Sequence, residues 1–305
     1  MKNKILNIIN SNKLSACVHV VVKKDDSFEV KKLEVEERTV DNIQDTIVAT
    51  LQLVFTQRDA KYLSLTQIAS EHNNAIYTLD NYREISGLNF IDFVAQNKIA
   101  TYQTEHGDFA AFIIEVSNGN ESLYCYQNIT PASLIKQNAR IPLVRHNNTF
   151  SQSASNVFVV ESRVDFVILE NALCVKNWKL LQSKFSFDNF IAKESKKTLS
   201  KIKELKLLSD TTALEQEAAR LSVSKQLMKA SNSNVFKFPK EIILSNARNA
   251  ARYKKLFNNS GSLVVDTKEK VKLFIKLLND DILISPITKL EYDVTFKKEM
   301  GDQAA

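Results

Sequence analysis

The fold of this chain is indicated most clearly by residues 108–129, DFAAFIIEVSNGNESLYCYQNI. Asp108–Val116 and Ser122–Ile129 are rich in β-branched and aromatic residues, which favour strands. Between them, Asn118-Gly119-Asn120 supplies residues that tolerate the positive φ angles of a tight turn. The stretch therefore predicts two antiparallel strands joined as a hairpin.

The segment before this hairpin predicts further strands and one amphipathic helix. Ala16–Val22 and Phe28–Glu36 have strand-like composition, and Asp25-Asp26-Ser27 between them predicts a turn. A helix is expected from an Asp41 N-cap to about Gln57, followed by a short strand at 75–79.

The segment after the hairpin predicts a domain boundary. Residues 130–156 contain two of the four prolines and a polar, serine-containing run, so we place the boundary there. Short strands are expected at 157–161, 164–169 and 172–176. The predicted fold class is α+β. Residues 1–150 form an N-terminal mixed α/β domain with hairpins, and residues 151–305 form a C-terminal domain of a short antiparallel sheet and several helices.

The C-terminal half predicts two helices with basic faces. In the first, apolar residues from Phe187 to Leu205 recur at helical spacing, and the opposite side carries Lys193, Lys196, Lys197 and Lys201. In the second, expected from Pro239 to about Leu256, one face carries Arg248, Arg252 and Lys255. Between these two helices, a further helix is expected from about Thr212 to Lys229.

The charge distribution supports an anion-binding role for this half. The chain has 305 residues and a net charge of +6. Residues 1–150 hold 15 Lys and Arg against 17 Asp and Glu, whereas residues 151–305 hold 26 against 18. An excess of fixed positive charge concentrates polyanions near a surface, although lysine-rich helices also occur simply as solvated faces.

Several function classes lack their signatures. The chain contains no G-x-x-x-x-G-K-[ST], G-x-G-x-x-G, G-x-S-x-G or H-E-x-x-H sequence. Its 3 cysteines and 4 histidines show no metal-ligand spacing. We therefore predict a cytosolic protein that needs no metal or cofactor and is not an enzyme. With no apolar run near the length of about 20 residues that spans a bilayer, any membrane association would depend on a partner.

Two features leave alternatives open. Asp266-Thr267-Lys268 has the D-x-K form of metal-dependent nucleases, as has Glu29-Val30-Lys31, but Asp266 and Thr267 also fit the start of a last helix. An aromatic cluster could stack on bases or belong to the core, and its helical spacing favours the core. The cluster comprises Trp178, Phe185, Phe187 and Phe190.

Asn279-Asp280-Asp281 places two acids after the last helix, where the helix dipole favours cations. We expect Asn279 to adopt a left-handed cap conformation and the acids to pair with Lys276 or Lys289.

Residues 277–283, LLNDDIL, with Ser285, Thr288 and Tyr292, resemble the closing signature of the KwaB family, the soluble component of the bacterial Kiwa anti-phage defence system. Residues 165–168, 173–175 and 185–190 follow the family's order, so the resemblance covers roughly residues 156–298. Pro286 stands where an acidic residue is more usual, and residues 1–150 take no part in the resemblance. The resemblance implies a DNA-binding, homodimeric protein, cytoplasmic and peripheral to the inner membrane through the transmembrane partner KwaA.

We therefore predict a non-enzymatic defence protein that binds double-stranded DNA largely without sequence preference. The expected phosphate contacts are Lys193, Lys196, Lys197, Lys201, Arg248, Arg252 and Lys255. One alternative is a metal-dependent nuclease that uses Asp266, Lys268 and Asp280 or Asp281. Another is a pure interaction protein whose basic faces contact an acidic protein.

Overall fold

A computed structural model describes most of the chain. The described residues are 1–24, 27–58, 60–68, 75–95, 100–102, 108–130, 134–135, 143–146, 149–152, 157–284, 287–288 and 291–294. The predicted turn at Asp25-Asp26, most of the predicted linker 130–156, and Lys289 lie outside them.

The chain forms two compact units. The first, here the sheet unit, comprises residues 1–62 and 74–185. The second, here the helical unit, comprises residues 63–73 and 186–305. The division therefore falls between Phe185 and Ser186 rather than at the predicted boundary after residue 150.

The hairpin at 108–129 forms as predicted. Strand β5 (Asp108–Ser117) pairs antiparallel with β6 (Ser122–Asn128), with Ser117 opposite Ser122. In the turn, the Asn118 side-chain oxygen accepts hydrogen bonds from the backbone N–H groups of Asn120 and Glu121. Gly119 has φ +89°, a conformation that glycine adopts without steric cost.

This hairpin is the centre of an eight-stranded sheet with strand order β2-β1-β5-β6-β11-β12-β4-β3. The other six strands are β1 (Ser15–Lys24), β2 (Ser27–Lys32), β3 (Lys61–Ser64), β4 (Ala75–Leu79), β11 (Phe166–Leu169) and β12 (Ala172–Val175). Short strands complete the numbering: β7 (Leu134–Ile135), β8 (Leu143–His146), β9 (Thr149–Gln152), β10 (Val157–Phe158), β13 (Ile282–Ile284) and β14 (Glu291–Asp293). The α+β class is confirmed.

Strands β11 and β12 do not belong to a separate C-terminal sheet, so this part of the prediction is wrong. β11 pairs with β6, and β12 pairs with β4. The residues of β11 are all buried, because it lies inside the large sheet. Its backbone groups therefore find partners on both sides, which a two-stranded sheet could not provide.

One face of the sheet packs against the first two helices, α1 (Lys2–Ile9) and α2 (Glu37–Thr56). Their buried residues, such as Ile8, Ile47 and Leu51, share a core with Phe112 and Ile114 of β5. Helix α2 begins four residues before the predicted Asp41 cap and ends one residue before Gln57. The remaining helices of this unit are α3 (Ile91–Ala95) and α4 (Trp178–Lys184).

Among its described residues, the helical unit has five α-helices around its own apolar core. They are α5 (Phe187–Glu204), α6 (Thr212–Ala218), α7 (Leu221–Ala230), α8 (Lys240–Asn249) and α9 (Lys268–Leu278). Fully buried Leu214, Leu227, Leu256 and Phe274 contribute to this core. The earlier segment at 63–68 joins the unit through a 3₁₀ turn at 65–67, where Asn232 donates a hydrogen bond to Thr66.

Two of the predicted long helices are broken. The helix expected from Thr212 to Lys229 divides at Arg220, whose backbone is extended, into α6 and α7. The helix expected from Pro239 to Leu256 ends at Asn249. Ala250 has φ −83° and ψ 120°, and a 3₁₀ helix follows over Ala251–Leu256.

Candidate nucleic-acid interface

Helix α5 carries a lysine-rich surface of the helical unit. Its buried positions recur at spacings of three and four residues, from Phe187 through Phe190, Ile191 and Thr198 to Ile202. Lys193, Lys196, Lys197 and Lys201 all lie among its exposed residues, as the periodicity predicts.

Three of these lysines lie together in one shallow depression of about 460 Å³. It is lined by Asn189, Ala192, Lys193, Lys196, Lys197 and Ser200. We call this surface the α5 face. Lysine ammonium groups, an amide and a hydroxyl can all donate hydrogen bonds, so the α5 face suits phosphate oxygens.

Lys196 and Lys197 differ in their surroundings. Among the described residues, Lys196 forms no ion pair, whereas the ammonium of Lys197 lies 2.5 Å from the Oε1 atom of Glu194. The Glu194 side chain is only 10% exposed, so this pair links the buried side of α5 to its surface. The pattern of apolar residues does not reveal Glu194. The sequence could have predicted this ion pair only from the spacing, because Glu194 stands on the buried stripe three residues before Lys197.

Lys201 is held by the protein's own backbone. Its ammonium donates a 2.7 Å hydrogen bond to the carbonyl of Ser231, which follows the end of α7, and lies 5.6 Å from the centre of the Phe236 ring. A cation is favourable at a helix C-terminus because the last carbonyls carry partial negative charge. Lys201 therefore has a structural contact that the sequence did not predict.

A second cleft, of about 760 Å³, lies between α5 and helices α6 and α7, and Lys196 lines it too. Across this cleft, Lys203 pairs with Glu215 at 3.0 Å. A hydrogen bond from Thr211, and then that from Lys203, hold the pKa of Glu215 below its ordinary value. The pair ties α5 to α6.

The second predicted basic face does not form as a helical row, because α8 ends between Arg248 and Arg252. Arg248 donates a 2.6 Å hydrogen bond to the carbonyl of Gly261 and lies 5.3 Å from the centre of the Phe257 ring. Arg252 and Lys255 are exposed within the 3₁₀ helix. The continuous face of Arg248, Arg252 and Lys255 is therefore wrong as a geometric prediction, and their DNA contact remains a prediction.

Three rings of the aromatic cluster belong to the protein core, whereas Trp178 is half-buried. Phe185, Phe187 and Phe190 are each no more than 2% exposed, as their helical spacing favours. Phe187 and Phe190 stack on each other with ring centres 5.3 Å apart. These rings cannot serve as a platform for bases in the structure described.

Asp266 and Thr267 of the D-x-K sequence both have structural roles at the start of α9. Asp266 pairs with Lys270 at 2.9 Å, and this contact lowers the pKa of the Asp266 carboxyl. The Thr267 hydroxyl caps α9 by accepting a hydrogen bond from the Lys270 backbone. Within the described ranges, no three His, Cys, Asp or Glu side chains are grouped so that they could hold a metal ion.

The Asn279-Asp280-Asp281 sequence closes α9. Asn279 is right-handed, with φ −79°, and Asp280 is the residue with a left-handed conformation, φ +51°, so the predicted position of the cap is wrong by one residue. Asp281 pairs with Lys229 of α7 at 2.9 Å, a lysine far from it in sequence. The Asn279 amide donates to the carbonyl of Gln226, also on α7. The sequence therefore fastens α9 to α7.

The net charge of the chain resides in the helical unit. The residues of that unit include 22 Lys and Arg against 16 Asp and Glu, whereas the sheet unit has 19 of each kind. In the part of the chain that the structure describes, no helix has the length and apolar character of a membrane span.

Comparison with known proteins gives one family. The sequence profile of the family described as Kiwa protein KwaB-like matches residues 106–288. The Kiwa protein KwaB of Escherichia coli O55:H7 (strain RM12579 / EPEC) is 25% identical over 195 residues, which are 61% of this chain and 61% of that protein. The chain thus spans about three fifths of the length of the curated relative that it matches. No solved structure matches it.

The match to the family profile covers more than half of the chain. It includes the central hairpin, helices α5 to α9 and the sequence that fastens α9 to α7. The family match therefore begins further upstream, at residue 106, than the resemblance seen in residues 156–298. This chain belongs to the KwaB-like family of Kiwa proteins.

Proposed function

We propose that this protein acts in Kiwa anti-phage defence by binding double-stranded DNA, largely without sequence preference, through the α5 face. Family membership supports the assignment to an anti-phage defence system. The observation that carries the DNA-binding part is the depression on α5 lined by Lys193, Lys196 and Lys197.

The chemistry of the α5 face favours contacts with the DNA backbone. Lysine is a flexible point charge, whereas base reading usually requires the fork of arginine or the paired groups of asparagine and glutamine. The face has three lysines and a single amide, Asn189. Contacts of this kind position a protein on a duplex and release counterions without reading its sequence.

The remaining parts of the proposal extend this role to the assembly. The protein acts as a homodimer without enzymatic activity, in the cytoplasm and at the inner membrane through the transmembrane partner KwaA. The net charge of the helical unit is positive and that of the sheet unit is zero, which supports DNA contact by the helical unit.

Replacing both Lys193 and Lys196 by glutamate tests the proposal. Binding of a random-sequence duplex, measured by fluorescence anisotropy across a salt series, should weaken at least tenfold. The log-log salt dependence should flatten by about 1.8, because about 0.9 is lost for each phosphate no longer neutralised. Several unrelated duplexes should respond alike.

Lys268 and Lys272, both exposed on α9, provide the matched control. Their double replacement by glutamate changes the net charge by the same amount in the same unit, yet should leave the salt dependence near that of the unmodified protein. If both double variants bind DNA equally well, the α5 face is not the DNA contact. If neither they nor the unmodified protein bind DNA, the interaction-protein alternative is favoured.

A further inference from the structure

Glu194 of α5 is an acidic residue at a buried position, where the helical periodicity predicts an apolar side chain. Glu194 lies on the buried stripe with Phe190, Ile191 and Thr198, and its side chain is 10% exposed. A carboxylate at such a position loses much of its hydration, so it requires a nearby cation. A neutral side chain of similar size would avoid this cost.

Lys197 supplies that cation. It lies one turn further along α5, with its ammonium 2.5 Å from Glu194 Oε1, while 51% of its side chain remains exposed. The ammonium therefore borders the α5 face but is drawn toward a carboxylate beneath it. Any external anion that binds Lys197 must compete with this internal one.

We infer that Glu194 withholds Lys197 from anionic ligands and thereby limits the strength with which the α5 face binds DNA. The inference rests on the proposed function of the α5 face. Lys193 and Lys196 then supply the phosphate contacts, whereas Lys197 serves as the partner of Glu194. Glu194 is in this sense a positioning residue, because it acts through Lys197.

The physical reason is the difference between the environments of the two anions, the buried Glu194 carboxylate and a solvated DNA phosphate. A phosphate that draws Lys197 away leaves Glu194 as an uncompensated charge in a largely dry site, which is strongly unfavourable. A DNA phosphate that does not contact Lys197 stays hydrated, so its free-energy cost is much smaller. The internal pair therefore prevails over a single phosphate contact.

Replacing Glu194 by glutamine should release Lys197 while preserving shape. One additional phosphate neutralised steepens the log-log salt dependence by about 0.9 and tightens binding about eightfold at 0.1 M salt. The control is Glu204→Gln, which removes an exposed negative charge from the last residue of the same helix. It should change the affinity much less and leave the salt dependence unaltered.

The double variant Glu194→Gln with Lys197→Met isolates the effect of Lys197. It removes both charges together, so no buried carboxylate is left unpaired, and thermal unfolding verifies its fold. It should bind DNA with the affinity and salt dependence of the unmodified protein. A salt dependence flatter by about 0.9 would mean that Lys197 already contacts a phosphate, which overturns the inference even if Glu194→Gln does not fold.

The same data separate this inference from the proposed function. If Lys193 and Lys196 replacements abolish DNA binding but Glu194→Gln behaves like Glu204→Gln, the α5 face still binds DNA and only the role of Glu194 is wrong. If the Lys193 and Lys196 replacements have no effect, the proposed function itself fails.

Discussion

Three adjacent residues after α9 show how neighbouring side chains with similar chemistry acquire different roles. Asn279 and Asp281 each contact α7, through the carbonyl of Gln226 and the ammonium of Lys229. Asp280 instead takes the left-handed conformation, and the backbone N–H of Asp281 returns to the carbonyl of Lys276. This is the hydrogen-bond pattern of a helix terminus that usually has glycine at the left-handed position.

The two acids should therefore respond oppositely to replacement. Asp280→Gly relieves the left-handed strain and should stabilise the protein by about 0.5–1 kcal/mol. Asp281→Ala leaves Lys229 without its carboxylate in a site where the two side chains are 20% and 16% exposed, and should destabilise it by about 1–3 kcal/mol. Urea unfolding of the full chain measures both changes. Equal destabilisation by the two replacements would contradict the assigned conformations.

The helices show where local sequence reasoning succeeds and where it fails. Helix α5 could be predicted because every buried position keeps the spacing of one helical stripe. The break after α8 could have been predicted by requiring all buried residues of one helix to lie on the same face. In a continuous helix Leu256 would point about 140° away from Ile243, yet both are buried in one core. Likewise, Leu214 and Val223 would face opposite sides of a helix from 212 to 229, yet both are buried.

The partners of the lysines could not be predicted in this way. Periodicity assigns a side chain to the outside of a helix, but it does not show that Lys201 reaches the end of α7 or that Lys203 reaches α6. Such contacts depend on how helices distant in sequence pack together. Of the predicted contacts on α5, Lys196 therefore remains the strongest candidate, while Lys201 also has a structural role.

Arg248 provides a test at the level of these elements. Because it joins the end of α8 to the loop at Gly261 and lies over Phe257, Arg248→Ala should lower the free energy of unfolding by about 0.5–1.5 kcal/mol. If Arg248 has only this structural role, the salt dependence of DNA binding should stay the same. Lys255→Ala, an exposed change in the following 3₁₀ helix, should alter stability by less than about 0.5 kcal/mol. A flattened salt dependence for Arg248→Ala with unchanged stability would instead assign Arg248 to the DNA contact.

Across the whole molecule, the fold class was accessible from the sequence but the division of the chain was not. The β-branched runs identify β11 and β12 as strands, yet pairing with β6 and β4 depends on contacts between residues far apart in sequence. The polar composition of segment 130–156 predicts a connecting segment, but it does not predict which sheet the following strands join. The charge asymmetry is smaller for the two compact units, which carry net charges of 0 and +6, than for the predicted halves, which carry −2 and +8.

The choice between a DNA-binding protein and a nuclease also concerns the whole molecule, because a metal-dependent nuclease needs acids from several elements to converge. Asp266 and Asp281 are each paired with a lysine, and Asp280 closes the end of α9. We therefore expect supercoiled plasmid to remain intact when incubated with the full chain and Mg²⁺ or Mn²⁺, while a mobility shift shows that it is bound. Asp266→Ala should leave binding unchanged and change stability little, because its ion pair is exposed. Metal-dependent nicking that disappears in Asp266→Ala would instead establish the nuclease.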